Sequence, residues 1–158
     1  MPTKLDSWCD EDQLPENTRC KIESMKMMAR WLLGLKDDTT SAKKTFRMLT
    51  AFIVHRGDLF DSGRISRAEM SWLRLSAGTS MLKICEQKGV GDQITVDQFY
   101  IVSYLLGDDV VQVREKFAAK LHRGLYRMPP RSLPIDFMGV YALAGTEEDS
   151  RIRGIKSG

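Results

Sequence analysis

Three observations predict an all-α fold, a HEAT-like helical-hairpin solenoid segment of about six helices. Apolar residues recur at three-and-four spacing in each long segment, and nowhere do they alternate with period two for the length of a strand. Glycines and short acidic or polar turns cut these segments into lengths suited to antiparallel helix pairs. An aliphatic residue followed by arginine then returns at Leu73-Arg74, Val113-Arg114 and Ile152-Arg153, intervals of 40 and 39 residues, close to the period of a two-helix repeat.

The opening stretch through residue 20 holds five acids and two bases, and residues 1–20 read as an acidic, disordered tail. The rest of the chain carries a net +6 within a total of +3. Residues 21–150 form the predicted helical repeat domain. The first helix runs from about Ile22 to Leu35 and is broken at Gly34 and the polar "KDDTTS". A second covers about Ser41 to Arg56 and stops at Gly57, and a long third spans about Arg67 to Gln87 and stops at Gly89. The fourth and fifth, about Val96 to Leu106 and Val110 to Tyr126, turn at "GDD" and make the clearest hairpin. A sixth begins near Ile135, after "MPPRSLP", and ends before Gly145. Residues 151–158 read as the end of a truncated repeat, which would leave the apolar face of the sixth helix without its usual cover.

In the fifth helix Val110, Val113, Phe117, Leu121 and Leu125 share one core-facing arc, with Asp108 or Asp109 placed to cap its first turn. Arg114 points into that arc. An arginine keeps its charge and is costly to bury alone, so Asp108, six residues earlier, is the expected partner in a structural inter-helix pair. Glu147 stands six before Arg153 in the same way, but Ala68 holds that place before Arg74, and the repeat is imperfect.

The rest of the chain excludes more chemistry than it suggests. No apolar run approaches the roughly 20 residues of a membrane span, and the first residues lack the apolar block of a signal peptide, so a soluble intracellular chain is expected. Cys9, Cys20 and Cys85 are odd in number and lack CxxC spacing, which argues against a disulfide framework or a zinc site and favours a reducing compartment. His55 and His122 lie on different predicted helices, in no motif that pairs them with Cys85 or a serine. The "GVG" at residues 89–91 has neither the lysine nor the preceding strand of a phosphate loop. The methionine-rich "MKMMARW" is expected to face the core. No enzyme, cofactor or metal is expected.

A rival motif is "DLFDSGRISRAE", residues 58–69, in which Asp58, Ser62, Gly63, Ile65 and Glu69 match positions of an EF-hand calcium loop. This is the alternative reading, a small calcium-binding EF-hand-like helical protein. Phe60 stands at the third position, however, and offers no oxygen to a site that needs six to eight. Ser66 with Glu69 is also a capping box, a device repeated by Thr95 with Gln98 where no calcium loop can be drawn.

One surface feature invites a partner. Lys116, Lys120, Arg123 and Arg127 recur at intervals of four, three and four, along one narrow stripe of the fifth helix. An ordinary solvated face is one reading, and contact with acidic protein segments or nucleic-acid phosphates the other.

The segments "MARWLLGLKDD", "TFRMLTAFIVHRGDL", "RISRAEMSWLRLSAGTSMLKICE", "VREKFAAKLHRGL" and "LPIDFMGVYALAG" together resemble the HEAT-repeat cohesin regulators called precocious dissociation of sisters proteins. The resemblance covers roughly residues 22–150. It implies a nuclear, non-enzymatic scaffold that binds the kleisin subunit of cohesin and its release and protection factors, and so maintains sister chromatid cohesion in dividing cells. Chromatin association is left open and no membrane is implied. No residue here matches an assigned partner-contact motif.

Overall fold

The structure, a computed structural model, describes residues 6–127 apart from positions 36 and 61, together with positions 133, 134, 136, 137 and 139. Among them are five α-helices packed antiparallel: α1 (Glu16–Gly34), α2 (Thr39–Val54), α3 (Arg67–Cys85), α4 (Val96–Ser103) and α5 (Val111–Leu125). Short 3-10 turns occupy Glu11–Gln13, Gly91–Gln93 and Tyr104–Gly107. The predicted all-α class and its HEAT-like hairpin character hold.

The centre is α3, which packs against α1, α2 and α5. Thirteen of its 19 residues are buried, including Leu73, Leu75, Ala77, Met81 and Ile84, so it has no solvent face of ordinary width. Small residues let its neighbours come close: a side chain on Gly78 would overlap Leu105 and meet the Phe117 ring at 3.3 Å. α5 presents Val113, Phe117 and Leu121 to this core, as its arc predicts. On α1 the methionine-rich segment divides, with Met25 and Ala29 buried while Met27 and Trp31 remain exposed.

The helix boundaries follow local chemistry. Asp38 caps α2 by accepting the Ser41 N–H at 3.0 Å. The left-handed Gly57 (φ +97°) then closes α2 with its N–H on the Phe52 carbonyl at 2.7 Å, and Met70 lies too close to admit a Cβ. Both predicted capping boxes form, Ser66 with Glu69 at α3 and Thr95 with Gln98 at α4. The fourth helix ends three residues earlier than predicted, where the backbone tightens into the 3-10 turn Tyr104–Gly107. At α5 the Asp108 carboxylate accepts the Val110 N–H at 3.0 Å, one position before the helix proper.

The reading of residues 1–20 as a disordered tail is corrected over its described part. Trp8 stacks on Trp72 with centroids 4.4 Å apart, and Cys9 and Leu14 are buried. Trp72 Nε1 donates to the Cys9 carbonyl at 2.9 Å and Ser71 Oγ to that of Ser7 at 2.7 Å, both from α3. Asp10 and Gln13 cap the first turn, and α1 already begins at Glu16 after Pro15. The acids Asp10, Glu11 and Asp12 stay in water while Cys9 and Leu14 on either side of them go inward. Composition averaged over the segment hides this arrangement.

The expected sixth helix and the truncated end at 151–158 lie almost wholly outside the described residues. Positions 136, 137 and 139 are helical, and Phe137 is buried with its ring 4.7 Å from that of Phe99.

Candidate protein-binding groove

The stripe on α5 forms one wall of a groove of about 570 Å³ whose floor is α3 and whose opposite wall is α1. Lys116, Lys120, Arg123 and Arg127 all line it. From α1 come Lys26 and Arg30, and from α3 Lys83, so seven cations face two carboxylates, Glu11 and Glu86. The floor follows one face of α3 through Trp72, Ser76, Thr79 and Lys83 to the C-cap residue Glu86, with Leu75 adding apolar surface. Sequence reasoning found the wall on α5 but not its counterpart on α1. Lys26 and Arg30 stand four apart, a legible stripe, yet nothing local says that it faces α5.

The cations differ in how far they are satisfied. Buried Glu86 takes Arg127 Nη1 at 2.9 Å and Lys83 Nζ at 3.8 Å. Lys26 lies 3.3 Å from Glu23 and 3.8 Å from Glu11. Lys116 stands 5.9 Å over the Trp8 ring, a cation–π contact. Arg30, Lys120 and Arg123 have no carboxylate partner among the described residues. Partial burial, and the charges of Arg123, Lys83, Arg127 and Lys26, hold the Lys120 amine below the ordinary lysine range. The groove therefore has an unneutralised positive interior, which an anionic guest would relieve.

Asp108 and Arg114 lie away from this groove, at the junction of α2, α3 and α5. Arg114 Nη1 donates to Asp108 at 2.7 Å, but to its main-chain carbonyl. The carboxylate belongs to Arg74, which takes it through Nε and Nη2 at 3.0 and 2.9 Å. The expectation of a side-chain pair between Asp108 and Arg114 is corrected accordingly: the buried guanidinium of Arg74 has the stronger claim on the carboxylate, and half-buried Arg114 caps the carbonyl that is left. Arg74 Nη1 also donates to the Arg56 carbonyl at 3.1 Å, and Arg56 pairs with Asp109 at the surface at 2.8 Å. This junction ties helix ends together and offers no reactive group.

The residues of 58–69 that match calcium-ligand positions are engaged by the protein itself. Asp58 accepts the N–H groups of Gly63 and Ser62 at 2.9 and 3.1 Å, which hold its carboxyl below the ordinary value. Glu69 accepts the Ser66 N–H at 2.8 Å and the Thr18 hydroxyl at 2.6 Å, and Phe60 is 85% exposed. Among the described residues no group of three or more His, Cys, Asp or Glu could hold a metal ion. No helix among them is long and apolar enough to cross a membrane.

Comparison with known proteins places these features in a lineage. The family model described as sister chromatid cohesion protein PDS5 matches residues 2–155, which takes in the opening segment as well. The chain is 38% identical over 146 residues to sister chromatid cohesion protein PDS5 homolog B-B of Xenopus laevis and, equally, to PDS5 homolog B of Homo sapiens. Each match covers 92% of this chain and 10% of the relative. It is 36% identical over 141 residues to PDS5 homolog A-B of Xenopus laevis, which covers 89% of the chain and 10% of that protein. The chain thus spans about a tenth of the length of these relatives.

Proposed function

Because the chain belongs to the non-enzymatic sister chromatid cohesion protein PDS5 family, we propose that it is a cohesin-associated scaffold segment, acting in the nucleus to maintain or regulate sister chromatid cohesion through protein–protein contacts. The family supports the association with cohesin. The observation that carries a binding role for this segment is the groove of α1, α3 and α5, where Arg30, Lys120 and Arg123 lack carboxylate partners among the described residues. Lys116, Lys120, Arg123 and Arg127 are its contact residues on α5. The junction in which Arg74 of α3 holds the Asp108 carboxylate, with Arg114 on the Asp108 carbonyl, keeps α5 in register with α3 and so holds that wall in place. The partners proposed are the kleisin subunit of cohesin and the factors that release or protect the complex.

Affinity capture tests this reading. The tagged chain, incubated with nuclear extract from dividing cells, is expected to enrich the kleisin subunit over a tag-only control. Recovery of kleisin no greater than in the control, from extract in which a full-length relative captures it, would reject the role for this segment.

A further inference from the structure

We propose that the groove over α3 receives an extended acidic peptide, laid along α5 with its carboxylates on Lys120, Arg123 and Arg30 and an apolar side chain against Trp72. The inference rests on the scaffold reading only for which protein supplies the peptide.

Shape argues first for an extended guest. Lys116 and Arg127 bound a stripe eleven positions long, about 16 Å of helix at 1.5 Å per residue. An extended strand of about five residues covers that distance. A compact anion would neutralise one end and leave the other charged. The floor argues next for a peptide over a nucleic acid. Between the cationic walls lie Trp72, Leu75, Ser76 and Thr79, an apolar and small-residue surface on which alternate side chains of a peptide can rest. A duplex offers only its phosphate ridges to such a trough, and these would meet the rims of α1 and α5 without reaching the floor.

Charge then fixes the sign of the guest. Glu86, the one carboxylate on the floor, is already shared by Arg127 and Lys83 at the far end from Trp72. The unpaired cations lie between these ends, where burial first and then the repulsion of Arg123, Lys83, Arg127 and Lys26 lower the Lys120 amine. A peptide carboxylate beside Lys120 removes that repulsion and restores its proton affinity. The aromatic end is likewise prepared, since Trp72 is held by the stacked Trp8 and by its bond to the Cys9 carbonyl.

The test uses a fluorescein-labelled peptide of alternating glutamate and serine, roughly eight residues long with a terminal leucine, sized to overrun the stripe. Polarisation at low salt should show saturable binding that weakens as salt rises. The double variant Lys120→Glu with Arg123→Glu should bind about tenfold more weakly, while Lys43→Glu with Lys44→Glu, the same charge change on the exposed face of α2, should lose less than about twofold. Circular dichroism melts check that both variants fold. Proton-detected NMR of the lysine side chains should show the Lys120 amine titrating at higher pH once peptide is bound. Equal weakening by the two double variants would overturn the proposal, as would displacement of the peptide by inorganic tripolyphosphate or a DNA duplex at lower concentration than by unlabelled peptide. Kleisin capture that survives in the Lys120 and Arg123 variant, with peptide binding absent from the wild type, removes the groove proposal and leaves the scaffold reading standing. Peptide binding as described, with no kleisin captured, sustains the groove and removes the scaffold reading.

Discussion

Arg74 grips Asp108 through a two-bond fork at 3.0 and 2.9 Å, with each side chain 5% exposed, while Arg114 takes the main-chain carbonyl of the same aspartate. Two arginines 40 positions apart in a repeat thus converge on one residue. Ala68, where the local pattern wants an acid for Arg74, is not a vacancy: the acid comes from the following unit.

The fork and the single bond should therefore differ in what they contribute. Asp108→Ala strands a buried guanidinium and should cost about 3 to 5 kcal/mol. Arg114→Ala removes one charge-assisted bond at a half-buried site and should cost about 1 to 2 kcal/mol. Urea denaturation with an unchanged slope measures both. Equal losses would mean that the fork contributes no more than the single bond.

Trp8 tests whether the first described residues belong to the fold. Trp8→Ala deletes the stack on Trp72 and the platform beneath Lys116, and should lower stability by about 1 to 3 kcal/mol. Limited proteolysis should then cut before Glu16 faster than in the wild type. An unchanged melt and cleavage pattern would return the segment to the status of a tail.

Gly78 is where α3 admits its neighbours. In Gly78→Ala the added methyl overlaps Leu105 and presses on Phe117, and overpacking of this kind costs about 1 to 3 kcal/mol even though alanine is the better helix former. Thermal melting should show a net loss. A gain would mean that the turn at Leu105 gives way cheaply.

Glu69 links capping to pH. Burial opposes its ionisation, but hydrogen bonds from Thr18 and Ser66 together outweigh this and hold its carboxyl below the ordinary 4.5. The unfolded chain then binds the proton more readily. The contribution of Glu69 to stability is complete above about pH 4.5 and fades as the pH falls through its lower folded value. Glu69→Gln keeps a capping side chain without the charge, so its deficit against the wild type should shrink on acidification through that range. Millimolar calcium should leave both melting midpoints unchanged, because Asp58 and Glu69 already hold protein donors. A calcium-dependent rise confined to the wild type would restore the loop as a metal site.

The helices themselves were determined by the sequence, because periodicity, caps and stops act within a few residues of one another. Val113, Phe117 and Leu121 had to share a face, and Ser66 with Glu69 and Thr95 with Gln98 had to start their helices, whatever surrounded them. The basic stripe on α5 was legible for the same reason. Tertiary structure alone decided which acid serves which arginine, since Arg74 and Asp108 are 34 positions apart and meet only when α3 and the turn before α5 pack together. It also decided that Trp8 lies on Trp72 across 64 positions, where composition pointed to a tail. The groove belongs to this second kind. Lys26 and Arg30 face the α5 stripe only because α1 and α5 flank α3, and Coulomb repulsion acts through the space that such packing creates, independent of distance along the chain.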